Sequence, residues 1–142
     1  IGDNTFKNKE FDTLFNSLED KIKQKIICFK RVEFEKMILL LRGANVSVYP
    51  SRAEGFGIPP LESVAAKIPT ICSNLTAMGD FDFFDNYFFN PTNQKDFDEK
   101  LSYVIENKDE NLLQKREIIK QKYNWKIAAK IFNSQIEKFT DS

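Results

Sequence analysis

The apolar positions of the chain fall into two periods. Phe11, Leu14, Phe15, Leu18 and Ile22 recur at helical spacing and predict an amphipathic helix over about residues 8–23. The run 25–29 (KIICF) is short, apolar and β-branched, and it predicts a buried strand. Phe34, Met37, Ile38 and Leu41 then repeat at i, i+3, i+4 and i+7, with Gly43 where a C-terminal cap would sit, predicting a second helix over about 33–42. Residues 45–49 and 68–72 read as strands, with a helix at about 60–67 between them, and 87–89 reads as a last short strand before Pro91. From Asp96 the pattern is wholly helical: Phe97, Leu101, Val104 and Ile105 share one face, followed by Leu112, Leu113, Ile118 and Ile119. A final stripe of Trp125, Ala128, Ala129, Phe132, Ile136 and Phe139 reads mainly as core.

Strands alternating with helices over connections of this length imply an α/β fold with a parallel sheet. The aromatic and acidic stretch from Phe81 to Phe89 reads as core filling, and the lysines after Lys95 read as solvated surface. A length of 142 residues suits one domain or a piece of a larger protein, and the start at Ile1 rather than a methionine suggests a fragment.

Composition narrows the chemistry. There is no histidine, which removes Ser-His-Asp and Cys-His catalysis, the H-E-x-x-H zinc site and any imidazole base. With 21 basic and 21 acidic side chains the formal charge is zero, so the electrostatic attraction that drives nucleic-acid binding is absent. The aliphatic run 38–41 is far short of the roughly 20 residues that cross a bilayer, and the N-terminus lacks a signal-peptide pattern. Cys28 and Cys72 are too far apart for a C-x-x-C motif; they read as two buried thiols in a reducing cytoplasm, with a disulfide left open.

The informative segment runs from Tyr49 to Glu62 (YPSRAEGFGIPPLE), leaving the carboxyl end of one strand and entering a helix, where open parallel sheets bind ligands. Gly55 and Gly57 allow positive φ and close approach of a ligand to the backbone. Pro59 and Pro60 suit a first helical turn, and the free amides beside them form a seat for a diphosphate. Glu54 before the turn and Glu62, placed in the first helical turn, offer paired carboxylates to sugar hydroxyls from the two sides of one cleft.

Pro50-Ser51 followed by Glu54 to Glu62 resembles the E-x7-E signature of the family-4 retaining glycosyltransferases, the group 1 glycosyl transferases. The order of elements also resembles that family: Ile1-Gly2 as the tail of a strand, 29–32 as a strand and loop, 44–51, 68–74, and Trp125 with Ala128 and Ala129. The resemblance implies a Rossmann-like parallel sheet flanked by helices, the C-terminal, donor-binding half of a GT-B fold with its first strand and its acceptor-binding domain missing. It implies that Glu54 and the backbone of Gly55, Phe56 and Gly57 hold a donor hexose. Amides around Ile58 and Leu61 would then meet the diphosphate, Glu62 would hold the ribose, and Arg31 and Val32 would lie near the base.

The implied donor is a UDP- or GDP-linked sugar used without a metal. The implied partner is a glycan or lipid-linked acceptor bound by the absent N-terminal domain, with the whole enzyme cytoplasmic or peripheral at the inner face of the cell membrane. By itself the fragment would be inactive. Lys67 stands where the family usually has glycine, so the end of that helix needs another cap, and near Gly79-Asp80 the family often has Pro-Glu, which leaves open whether Asp80 does that glutamate's work. In the resembled fold the terminal helix packs toward the partner domain, which would leave some of Phe132, Ile136 and Phe139 exposed. A non-catalytic sugar-nucleotide module and an α/β interaction domain are the alternatives.

Overall fold

The computed structural model describes residues 9–107 and 111–140 and divides into two compact units, Ile1–Leu40 and Leu41–Ser142. The strand tail expected at Ile1-Gly2 lies outside the described residues. The first unit holds α1 (Lys9–Ser17), α2 (Asp20–Lys23) and all but the end of α3 (Phe34–Arg42).

The single helix expected over 8–23 is two helices. The Ser17 hydroxyl donates to the Leu14 carbonyl at 2.7 Å, and the Leu18 amide turns back to the Phe15 carbonyl at 3.3 Å. Glu19 is extended, with φ −63° and ψ 145°. The chain therefore leaves α1 through a turn and enters α2 from an extended residue. The strand expected at 25–29 does not form: no strand lies among the described residues of this unit, so its amides and carbonyls have no ladder to join. Ile27 and Cys28 are exposed, which corrects the reading of Cys28 as a buried thiol.

The second unit carries β1 (Ser47–Tyr49), α4 (Ile58–Ala65), β2 (Thr70–Ser73), two 3₁₀ turns (Thr76–Asp80 and Asp82–Tyr87), β3 (Phe88–Phe89), α5 (Gln94–Asn107), α6 (Leu112–Lys122) and α7 (Trp125–Thr140). The sheet is parallel in the order β1-β2-β3. Val48 pairs with Ile71, and Cys72 stands between Tyr49 on one side and Phe88 on the other. All four residues of the central strand are buried, as expected where both faces and both edges are covered. The α/β fold with a parallel sheet expected from the alternating pattern is the one observed, and it is consistent with the Rossmann-like arrangement that the resemblance implies.

The core gathers Val64 of α4, Ile71 and Cys72 of β2, Phe89 of β3, Val104 of α5 and Ile119 of α6 around Met78, Phe81 and Phe84. The stretch 81–89 fills it as read from sequence: the rings of Phe81, Phe83, Phe84, Tyr87 and Phe89 point inward while Asp82, Asp85 and Asn86 stay in solvent.

One lysine departs from the expected surface role. Lys115 is 3% exposed, with its ammonium 3.2 Å from the centroid of the Tyr87 ring. Cation–π attraction is strongest when both partners are desolvated, and it offsets part of the cost of burying the charge. The α7 stripe also departs from a core role: Trp125 is exposed, and so are Phe132, Ile136 and Phe139, of which the resemblance implied exposure of some. Among the described residues no helix is long and apolar enough to cross a membrane.

The different cap expected from lysine in the glycine position is not needed, because the lysine itself takes the left-handed conformation. Lys67 takes φ 66°; its amide bonds the Val64 carbonyl at 3.0 Å, and the Ile68 amide reaches the Ser63 carbonyl at 2.9 Å. That pair of bonds is the Schellman motif, with a lysine in the left-handed position that glycine usually takes.

Candidate functional site

β1 ends at Tyr49, and the loop 50–57 delivers the chain into α4. Ser63 on α4 donates its hydroxyl proton to the Pro59 carbonyl at 3.1 Å, so it accepts from the Tyr49 hydroxyl 2.7 Å away. This relay ties the carboxyl end of the strand to the first turn of the helix.

Gly57 is the N-terminal cap of α4, at φ 88° and ψ 51°, the left-handed region that favours glycine. A Cβ there would lie 2.5 Å from Met78 Cγ and 3.3 Å from Phe81 Cε2, so the position excludes a side chain on two grounds. Gly55 differs from expectation. Among the described glycines only Gly57 has positive φ, and a Cβ on Gly55 would meet nothing within 4 Å.

α4 begins at Ile58, two residues earlier than expected, because left-handed Gly57 starts it and prolines fit a first turn. A helix leaves its first amides without intrahelical acceptors. Pro59 and Pro60 have no N–H and no side chain caps the start, so the amides left for a ligand are those of Gly57 and Ile58. Leu61 is buried, and its amide, the fourth in the helix, is the first with an acceptor inside it. Glu62 falls in the second turn, since the first turn carries no acidic residue; this corrects its expected first-turn place.

Glu54 is exposed and held at both ends. Its amide donates to Thr76 Oγ1 at 3.0 Å, and its Oε1 accepts from the Ser51 hydroxyl at 2.6 Å. Phe56 stands edge-on to Phe81 and Tyr123, at centroid distances of 5.8 Å and 5.7 Å. Burial pushes the Tyr123 phenol above its ordinary value, against the neighbouring Lys122 charge and with help from Asp82 and Asp80.

An open, largely apolar groove of about 640 Å³ runs between Phe56, Ile58, Leu61, Glu62 and Ala65 on one side and Tyr123, Trp125, Ile127, Ala128 and Ile131 on the other. Glu62 lines it and Glu54 does not, so the two carboxylates are not brought into this groove together. Arg31 and Val32 belong to the first unit, in the irregular segment between α2 and α3.

Residues 1–125 match the family described as Glycosyl transferases group 1. The chain belongs to this family. As a group 1 glycosyl transferase chain it is 30% identical over 84 residues to the O-antigen chain mannosyltransferase RfbU of Salmonella typhimurium, covering 59% of this chain and 24% of that protein. It is 43% identical over 44 residues to O-antigen chain mannosyltransferase B of Escherichia coli, covering 31% and 12%. It is 31% identical over 126 residues to the glycogen (starch) synthase of Dictyostelium discoideum, covering 80% and 12%. The glycosyl transferase chain thus spans no more than about a quarter of the length of these three relatives. No solved structure gives a significant match.

Sequence reasoning about this glycosyl transferase segment missed the supports around the signature. Ser51 lies three residues before Glu54, a spacing at which side chains and nearby groups commonly bond, so that contact had a local signal. Thr76 and Met78 had none, because both reach the turn from the far side of β2.

Proposed function

We propose that the chain is the donor-binding part of a retaining glycosyltransferase that moves a hexose from a nucleoside diphosphate sugar to a glycan or lipid-linked acceptor. What carries the reading is the family match across residues 1–125, together with a helix start inside the E-x7-E segment that leaves two backbone amides unpaired. The amides of Gly57 and Ile58, at the positive end of α4, would take the charge that develops on the departing diphosphate. Fixed donors of this kind commonly contribute several kcal/mol to a transition state, roughly 3 kcal/mol for one donor.

In this reading Glu54 contacts the donor hexose and is the site's catalytic carboxylate, Gly55 and Phe56 shape the sugar pocket, and Glu62 receives the ribose hydroxyls. The acceptor is bound by protein outside this chain, so the chain alone binds donor without transferring it. Two of the relatives are named for mannose transfer, which makes GDP-mannose the first donor to test and UDP-glucose the comparison.

Calorimetry with the nucleoside diphosphates and their sugars tests the division of roles. Glu62→Ala should weaken the diphosphate and the sugar nucleotide alike by about 1–3 kcal/mol, the scale of a lost hydrogen bond to a charged group. Glu54→Ala should spare the diphosphate and reduce only the advantage of the sugar-bearing form. Unchanged affinity in the Glu62 variant would remove the ribose assignment, and equal losses for both ligands in the Glu54 variant would remove the sugar assignment.

A further inference from the structure

We infer that Thr76 is a positioning residue for the donor sugar, acting through the backbone of Glu54. This rests on the donor-site reading above. Two independent features single it out. Its hydroxyl accepts the Glu54 amide proton at 3.0 Å, across 22 residues of sequence and from the segment that follows β2. Its backbone sits at φ 52°, a left-handed conformation that β-branched residues rarely adopt. Strain at a residue that touches a candidate site is a mark of a position kept for what it holds rather than for stability.

The geometry shows what is held. Thr76 opens the 3₁₀ turn that continues to Met78, whose Cγ occupies the space a Cβ on Gly57 would need. One short turn therefore grips the glycine loop at both ends, by a hydrogen bond at Glu54 and by contact at Gly57. Ser51 orients the carboxylate, and Thr76 sets the position of the backbone from which that carboxylate extends.

A purely structural threonine and a positioning threonine respond differently to Thr76→Gly, which removes the hydroxyl while relieving the backbone strain. We expect exchange of the Glu54 amide with solvent, followed by NMR on the 142-residue chain, to speed up about tenfold as its acceptor is lost. The preference for GDP-mannose over GDP should fall by about fivefold, the loss expected for one neutral hydrogen bond, with GDP affinity unchanged. The unfolding midpoint should stay level or rise. Thr76→Ser, which keeps the hydroxyl, should retain the slow exchange and the sugar preference.

Unaltered exchange at Glu54 would overturn the contact. Faster exchange with an unchanged sugar preference would overturn the positioning role and leave the donor site standing. A large fall in the unfolding midpoint would assign Thr76 to stability instead. A parent chain that does not prefer the sugar nucleotide would overturn the donor-site reading and this inference with it.

Discussion

Gly57→Ala places a methyl group where the structure has no room, and the cost can be worked from two separate terms. An L-residue held in the left-handed region costs about 1–2 kcal/mol. The new Cβ would lie 2.5 Å from Met78 Cγ and 3.3 Å from Phe81 Cε2, well inside the roughly 3.5–4.0 Å at which carbon atoms rest. Met78 and Phe81 are themselves buried, so neither can move aside without disturbing the core. Overpacking of this kind costs about 1–3 kcal/mol. The total of about 2–5 kcal/mol is a large share of the roughly 5–15 kcal/mol that holds a domain folded.

Thermal or urea unfolding of Gly57→Ala, Met78→Ala and the double variant separates the terms. Met78→Ala alone opens a cavity and should destabilise by about 2–5 kcal/mol. In the double variant the methyl enters vacated space, so the two losses should fall short of additivity by about 1–3 kcal/mol. Strict additivity would show that Gly57 and Met78 do not compete for the same volume, and the account of the loop's lower grip would fail.

Gly55→Ala is the opposite case: its methyl meets nothing within 4 Å, so stability should change by less than about 0.5 kcal/mol. Affinity for a sugar nucleotide should drop if a ligand approaches that backbone, and calorimetry showing no drop would move the sugar elsewhere. Lys67→Gly, at a φ of 66°, should raise stability by about 1 kcal/mol, seen as a higher unfolding midpoint; a lower one would mean that the side chain contributes more than the backbone strain takes. Burial pushes the Cys72 thiol up to about 12, Lys115 opposing, so iodoacetamide should label exposed Cys28 in the folded chain and Cys72 only on unfolding. Because the folded state keeps a proton that the unfolded state gives up, this contribution is intact below about pH 9 and should decline by up to roughly 1.4 kcal/mol per unit toward pH 12. A Cys72→Ala variant with the same alkaline slope would show that the thiol is not its source.

The fold was legible where one period ran uninterrupted against a continuous core. α3 and α5 begin within two residues of their expected starts, and β1 and β2 lie in the expected order because alternating elements allow few arrangements. The strand at 25–29 was misread because periodicity detects apolar content and not a hydrogen-bonding neighbour, which no described residue of that unit supplies. The break after Ser17 passes through the extended Glu19, and the apolar spacing runs on across it without a mark. At the candidate site, the signature glutamates, the glycine at Gly57 and the paired prolines were all visible as residue types. Their settings were not: Glu62 moved a turn along when the helix started at Ile58, and Gly55 proved ordinary in its backbone. The grip of Thr76 and Met78 comes from 3₁₀ geometry after β2, which leaves no regular trace in the pattern of side chains.

Trp125 is the single tryptophan of the chain; it is 90% exposed and stands at the rim of the apolar groove. Its indole already experiences water in the folded state, so its fluorescence should shift little when the chain unfolds. The same emission should shift to shorter wavelength whenever something dry settles over the groove. Without any label, one ring is thus nearly blind to the fold and sensitive to what covers the groove.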